Sequence, residues 1–389
     1  MADFVVRVFD VGQASANLIE FGNGSVGVVD CGVSASGENP LYDRLKQLHS
    51  KEALDRIAFV VLTHLDFDHI SGIATILEDE TLVEKMDAIY CNHHPFRLLF
   101  EMLARGLNRR SGVHRNPQFY GALVTLRRIR QAAQLNDLPL YEIQAPAATA
   151  PSDYPAILTP FPGDDAPLRI EVLAPTSALV PTAVNRLNDL LEHDKPVSEL
   201  MRSLAKYQAD WNTSSIVLRI GSDETGYALL PGDATRGTLE EIRSRLLDKE
   251  LDVDFVVAWH HGARLGPKGD QAVDEALWKF AKGDYGSLVV GISAGMGNQH
   301  GHPHEETTQA IQRIGGDYYC TQSKGGCGEI EDIPALGGLD LEPTSVGKVE
   351  NGWLPDEVDS PCCCGTVIAS FSSTGLTVET ETGRAACNC

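Results

Sequence analysis

The segment Thr63-His64-Leu65-Asp66-Phe67-Asp68-His69-Ile70-Ser71-Gly72 constrains this chain more than any other. It follows Ile57–Leu62, a short continuous apolar run that reads as a strand buried on both faces. Two imidazoles and two carboxylates then fall within six positions. These are the nitrogen and oxygen donors that hold zinc or manganese. Asp66 and Asp68 so close together repel each other unless a cation lies between them. Alternation along an extended strand end places His64 and Asp66 on one side. Asp68 and His69 open a helix and can face a second ion. The competing reading is a polar loop in which Asp68 caps that helix.

The rest of the chain frames this motif. Phe4–Phe9, Ser15–Phe21 and Val26–Asp30 read as strands of a meander, turning at Gly22-Asn23-Gly24. A helix is expected over 42–48. Residues 97–145 read as helical with arginines on one side, 145–168 as an irregular connection, and 185–208 as helical. The second half repeats the pattern. Strands are expected over 215–220 and 226–230, the latter ending in Pro231-Gly232-Asp233. A helix over 239–247 precedes a strand over 253–259 that ends in His260-His261-Gly262. A strand over 288–292 and a helix over 305–314 lead to Tyr318. Residues 325–361 read as an inserted loop rich in Gly, Pro and acids, and 366–371 with 376–380 as a closing hairpin. Two β-rich halves with helices outside predict an α/β fold, an αββα sandwich. Its expected division is a hydrolase domain over 1–324, with a helical insertion at about 95–145, and a Cys-rich segment over 325–389.

The motif resembles the signature of the metallo-β-lactamase superfamily, HxHxDH followed by Gly, with Asp66 where the second histidine is usual. The HxDxDH form is similar to the hydrolase domain of the DNA-uptake protein ComEC and to bacterial phosphorylcholine esterases. Further matches run in family order: Asp10-Val11-Gly12-Gln13, Val29-Asp30-Cys31-Gly32, Asn212 to Leu218, Pro231-Gly232-Asp233, His260-His261-Gly262 and Ser293 to His302. The resemblance covers about residues 4 to 324 and the final hairpin. It implies that His64 and Asp66 hold one metal, that Asp68 and His69 hold the other, and that Asp233 bridges both. His261 or His260 would complete the second site. Because adjacent residues leaving a strand point opposite ways, only one of them is expected as a ligand, with a lean to His261. The superfamily's remaining histidine ligand would be His94 or His93, with His114 a weaker candidate, or absent. Asn298, His300, His302 and His304 form a last cluster. There His302 is the candidate to protonate a leaving oxygen or hold a phosphate, with Asn298 beside it. Asp10 and Asp30 are expected to tie loops by accepting backbone hydrogens.

Charge bounds the partners. Acidic residues outnumber basic ones 54 to 32, a net charge of −22 that repels nucleic acid unless charge is segregated. Residues 97–130 hold eight arginines and one acid, leaving −29 on the remainder. This segment is either a solvated helical surface or a landing surface for a phosphate backbone, with Arg109 and Arg110 its substrate-binding candidates. No run approaches the roughly 18 apolar residues of a membrane span, and the start carries no export signal, so a cytoplasmic protein without membrane contact is expected. Of nine cysteines, Cys31 and Cys91 lie in strand-like runs and should be buried. The others, Cys320, Cys327, Cys362, Cys363, Cys364, Cys387 and Cys389, crowd the last seventy residues. Either they are reduced thiols, or Cys320, Cys327, Cys362, Cys364, Cys387 and Cys389 supply a structural zinc.

The expected mechanism is a hydroxide activated between two divalent ions, zinc first and manganese second. Asp68 belongs to that catalytic group. Three acidic ligands favour phosphoesters over β-lactams. A phosphodiesterase, foremost a nuclease acting on nucleic acid, is therefore expected. The alternatives are a hydrolase of a small phosphodiester or other ester, and a non-catalytic protein whose metals hold the fold. ComEC-like relatives also imply protein partners within multi-gene bacterial systems.

Overall fold

The computed structural model describes residues 3–92, 117–143, 145, 168–176, 212–247, 249–283, 287–295, 298, 300–322 and 365–381. Its strands, in chain order, are β1 (Phe4–Val8), β2 (Ala16–Phe21), β3 (Ser25–Cys31), β4 (Arg56–Leu62), β5 (Ile89–Cys91), β6 (Leu140–Glu142), β7 (Arg169–Ala174), β8 (Val217–Ser222), β9 (Gly226–Leu230), β10 (Phe255–Val257), β11 (Val289–Ile292), β12 (Asp317–Cys320), β13 (Val367–Ser372) and β14 (Gly375–Thr380). They form two sheets, one ordered β14-β13-β1-β2-β3-β4-β5-β6 and the other β12-β11-β10-β9-β8-β7. From β3 to β6, and from β9 to β12, neighbours run parallel.

Side-chain alternation separates two cores. Phe4, Val6 and Val8 of β1, Ile19 and Phe21 of β2, and Phe59 and Val61 of β4 meet Ile170, Leu218, Leu230 and Phe255 of the second sheet. The opposite pleat of the first sheet, including Leu18, Val28, Val60 and Leu62, packs on its outer helices. Those are α1 (Pro40–Ser50), through Leu41, Leu45 and Leu48, α3 (Ile73–Leu77) and α5 (Pro117–Leu135). On the second sheet's outer side lie α6 (Arg236–Arg245), α7 (Ala272–Lys282) and α8 (Glu305–Arg313), burying Leu239, Leu277 and Ile311. Helices outside two facing sheets make the expected αββα sandwich. β4 is buried along both faces from Ile57 to Leu62, as its unbroken apolar run requires. Two short helices, α2 (Phe67–Ile70) and α4 (Glu80–Val83), complete the set.

Three local expectations change. Residues 140–142 are an edge strand beside β5, not helix, because α5 stops at Leu135 and Pro139 starts an extended path. The strand expected over 253–259 is shorter, since Trp259–Gly262 turns into a 3-10 segment. The closing hairpin is integral to the first sheet: β13 pairs with β1, and Phe371 stacks on Phe4 at 4.2 Å between ring centroids. A division at 324/325 therefore separates strands that share one core. The helix expected over 185–208 and the loop over 325–361 lie outside the described residues. Among the described residues no helix is long and apolar enough to cross a membrane.

Candidate metal centre

The donors converge at the carboxyl ends of three central strands, β4, β9 and β10, where open α/β sheets present their ligand sites. Past β4 the chain stays extended to Asp66, then α2 turns Asp68 and His69 back over the strand end. Asp66 occupies the N-cap position of α2 without making a capping hydrogen bond. The carboxylates of this motif are thus not spent on holding a helix end. Gly32 is required here, because a Cβ would strike the backbone oxygen of Asp68. Past β9, Gly232 takes a left-handed φ of 53°, and a Cβ there would meet Thr63 Oγ1 at 2.6 Å. That close approach sets Asp233 against the β4 motif.

Asp233 is the hub. Its Oδ2 lies 3.6 Å from His64 Nε2 and 3.5 Å from His260 Nε2. Its Oδ1 lies 3.2 Å from His69 Nε2 and 3.7 Å from His261 Nε2. His64 Nε2 is also 3.7 Å from Asp66 Oδ2, and His261 Nε2 is 3.6 Å from Asp68 Oδ2 and 3.3 Å from His69 Nε2. Most of these separations exceed good hydrogen-bond lengths. They match instead the spacing of roughly 3.3 Å between donors that share one tetrahedral ion at about 2.0–2.1 Å. Two ligand groups result, one containing His64, His69 and Asp233 and the other Asp68, His69 and His261.

The inward nitrogens are aimed by partners on the other side of each ring. His69 Nδ1 lies 2.7 Å from Asp30 Oδ2, and His261 Nδ1 lies 2.9 Å from the Ser293 carbonyl. His64 Nδ1 lies 3.1 Å from Thr63 Oγ1. His64 Nε2 is buried and has no hydrogen-bond partner, an orphaned polar atom that a cation would satisfy. The donor set fits a pair of divalent ions.

Electrostatics follow burial and neighbours. Burial, aided by His69, pushes the His64 imidazole down to about 4, so it is neutral and ready to donate a lone pair. Burial alone would lower His69 and His261 as well. The Asp233 carboxylate, joined by Asp30 for His69 and Asp68 for His261, reverses this and raises both. For Asp68, burial works against ionisation, but the contacts with His261 and His69 prevail and hold it at about 2. Asp233 is held well below the usual carboxylate range, four histidines outweighing its burial.

His260 and His261 correct the expectation that the pair leaves a strand with its two rings pointing opposite ways. The dipeptide does not leave β10 as extended strand. Both residues take left-handed conformations, with φ of 46° and 54°, which turn both rings toward opposite oxygens of Asp233. Each such residue costs about 1–3 kcal/mol, a strain retained where surroundings fix it. Trp259, buried and stacked on Trp278 of α7 at 3.6 Å, anchors the turn.

A cleft of about 680 Å³ opens over these groups, lined by Asp66, Asp68, Asp233, His260 and His261, by Asn212, His300 and His302, and by small or apolar residues such as Val11, Ala14, Val33, Ala35 and Phe67. Among the described residues that line it there is no lysine or arginine. His302 is buried, with Nδ1 3.2 Å from Gln13 Nε2. Burial and the neighbouring His260 drop it to about 3. Asn298 uses its amide within the loop, donating to the carbonyls of Gly295 and His302 and accepting from the His302 N–H.

Of the other expected site residues, His93, His94, His114, Arg109, Arg110, Cys327, Cys362, Cys363, Cys364, Cys387 and Cys389 lie outside the described residues. Cys320 is buried in the inter-sheet core, and Cys31 and Cys91 are buried as expected. Arg127, Arg128 and Arg130 point outward from α5, whose Ala122, Leu126, Ile129 and Ala133 face the core, and Arg128 pairs with Glu78 at 2.6 Å. Asp10 accepts from Gly12 N and Gln322 Nε2, tying two loops. Thr63, Gln13, Ser293 and Asn212 were not given site roles from sequence, although each lies within a quoted motif: Thr63 beside His64, Gln13 in Asp10-Val11-Gly12-Gln13, Asn212 at the head of Asn212 to Leu218, and Ser293 at the head of Ser293 to His302.

The fold and the site together define a class, a two-sheet α/β protein of the metallo-β-lactamase sandwich type with a His/Asp cluster suited to divalent metal. Residues 9–173 match the sequence model of the metallo-beta-lactamase superfamily. No curated protein matches the sequence. Among solved structures the chain is similar to the metallo-beta-lactamase fold protein YhfI from Bacillus subtilis, at 13% identity and a TM-score of 0.39, covering 83% of this chain and 98% of that one. It is also similar to isothiocyanate hydrolase from Delia radicum gut bacteria, at 10% identity and a TM-score of 0.34, covering 81% and 96%.

Proposed function

We propose that this protein is a metal-dependent hydrolase of phosphodiester bonds, a ComEC-like nuclease of the metallo-β-lactamase superfamily. The observation that carries the reading is Asp233, whose two oxygens each lie within 3.7 Å of two histidine Nε2 atoms at the mouth of a cleft. His64, Asp66 and Asp233 would hold one divalent ion, and Asp68, His69, His261 and Asp233 the other. Zinc suits the three imidazoles of this set, and its three carboxylates also admit manganese. Such ions supply an acidified water and stabilisation of negative charge that develops on the substrate.

The chain's own groups do the rest. Asp68 remains ionised and lines the cleft, where it orients water by accepting its hydrogen bond. His302 accepts from Gln13 at Nδ1, so its proton sits on Nε2. With its basicity suppressed by burial, it acts as a neutral donor that holds a phosphoryl oxygen rather than as a proton source. Arg109 and Arg110 would guide the polyanion, with nucleic acid as the partner. Three carboxylates among the donors support a phosphoester over an acyl substrate.

One observation favours a second reading, hydrolysis of a small ester. The described cleft wall is short of positive charge and rich in small apolar residues. The test is turnover of bis-p-nitrophenyl phosphate and of plasmid DNA by protein loaded with zinc or manganese. Diester cleavage should need added metal and fall more than about 10³-fold when Asp68→Ala is combined with His69→Ala. DNA cleavage should weaken with salt. Diester cleavage that spares DNA and ignores loss of Arg109 and Arg110 moves the function to small esters. No turnover of either phosphodiester by metal-loaded protein removes the proposal.

A further inference from the structure

We propose that Asn212 contacts the substrate, its amide NH₂ donating to a phosphoryl oxygen of the phosphodiester. This rests on the phosphodiesterase reading above and gives a role to a residue that reading leaves without one. Asn212 lines the cleft together with Asp66, Asp233 and His260. It is 7% exposed, and its Oδ1 is buried with no hydrogen-bond partner. An orphaned buried oxygen costs stability, so the amide calls for a role outside the fold. The other amide of this wall, that of Gln13, gives its Nε2 to His302. With its oxygen turned into the wall, Asn212 has its NH₂ left for a ligand in the cleft. What an NH₂ takes is an acceptor, and the free oxygens of a phosphodiester are acceptors only. Among the described residues that line the cleft, no lysine or arginine competes for them.

The backbone beneath this side chain is fixed from three directions. The Ile216 N–H donates to the Thr63 carbonyl at 2.9 Å, tying the segment to the strand end that carries His64. Asn92 Nδ2 donates to the Ser214 carbonyl at 3.1 Å, and Thr238 Oγ1 of α6 donates to the Thr213 carbonyl at 2.9 Å. The Asn212 carbonyl itself accepts from the Ser215 N–H at 3.1 Å. None of these bonds uses the Asn212 side chain, so its frame positions the amide before any substrate arrives. A donor held in this way stabilises charge that grows in the transition state and needs no reorganisation to do so.

The experiment compares zinc-loaded, full-length wild type, Asn212→Ala and Asn212→Asp in hydrolysis of bis-p-nitrophenyl phosphate and in calorimetric binding of inorganic phosphate. Asn212→Ala should lower kcat about 100-fold with little change in KM. Asn212→Asp keeps the shape but replaces the donor by an anionic acceptor, and should lower kcat further. Zinc affinity of Asn212→Ala should equal that of wild type, which separates this role from metal ligation. The Tm of metal-free Asn212→Ala should equal or exceed that of wild type, because the backbone frame is intact and an orphaned group is gone. A merely structural role would lower it. Wild-type kcat in Asn212→Ala, higher activity in Asn212→Asp than in Asn212→Ala, altered zinc affinity, or a loss of activity matched by a lower Tm overturns the assignment. If wild type turns over no phosphodiester, the functional reading fails and phosphate binding decides here. Weaker binding by Asn212→Ala keeps Asn212 as the contact for a phosphoryl oxygen, and equal affinity removes it.

Discussion

At the scale of single residues, Asp30 shows how much of this centre lies behind the ligands. Its carboxylate is fully buried at φ 60°, accepting from Thr63 N at 2.8 Å and Thr63 Oγ1 at 2.6 Å, and facing His69 Nδ1 at 2.7 Å. One group thus fixes the strand end that carries the motif and aims the ring that the motif supplies. Asp30→Asn suits the left-handed backbone. It cannot accept at both oxygens, so one NH₂ would face a donor. Zinc affinity should fall about 10–100-fold in a chelator-competition titration. The metal-free protein should also lose about 1–3 kcal/mol in urea unfolding, for a buried hydrogen bond broken. Unchanged affinity would show that the His69–Asp30 contact does not tune the site. His64, Asp66, Asp68, His69 and Asp233 were legible because their types and order are informative by themselves. Asp30 was read only as a loop tie, since a lone buried aspartate carries no sign of what it will touch.

At the scale of elements, the first sheet and its outer helix are fastened by one acid. Glu20 on β2 pairs with Arg7 on the neighbouring β1 at 2.7 Å and with Arg44 on α1 at 2.7 Å. Burial opposes its charge, but the hydrogen bonds and charges of Arg44 and Arg7 prevail and hold its carboxyl below the usual range. A lowered acid stabilises the fold above its unfolded-state pKa and loses that contribution as pH falls through the folded value. Glu20→Gln should therefore cost about 2 kcal/mol near pH 7, and the gap to wild type should close below about pH 4. Chemical unfolding at both pH values measures it, and a gap independent of pH would assign the effect to packing. Element types were well read from sequence where patterning was strong: the apolar run of β4, the pattern of Tyr42, Leu45 and Leu48 in α1, and the alternation of β1. The turn after β10 was not, because nothing in Trp-His-His-Gly announces two left-handed residues in succession. Their conformation is held by the Trp259–Trp278 stack and by bonds to Gly232 and Ser293, all of them distant in sequence.

At the scale of the whole molecule, the centre couples the two sheets. His64, Asp68 and His69 belong to the first sheet's strand ends, and Asp233, His260 and His261 to the second's. Divalent ions held between them bind the folded chain and not the unfolded one. They should stabilise it by mass action, by about 2.7 kcal/mol per site at a free metal concentration 100 times Kd. Chelation should lower the Tm and added zinc should raise it with a dependence on concentration, measured by differential scanning calorimetry. A Tm unmoved by either would mean that the cluster binds no zinc.

The sequence by itself determined the donors, the strands that carry them and the layered class of the fold, because ligand chemistry and hydrophobic period are written in residue type and spacing. Only the tertiary structure decided which oxygen of Asp233 each histidine faces, that both members of the His260–His261 pair reach it, and that Asp30 and Ser293 aim the rings. Those outcomes depend on backbone conformations and long-range contacts that fix one geometry among many a given local sequence permits.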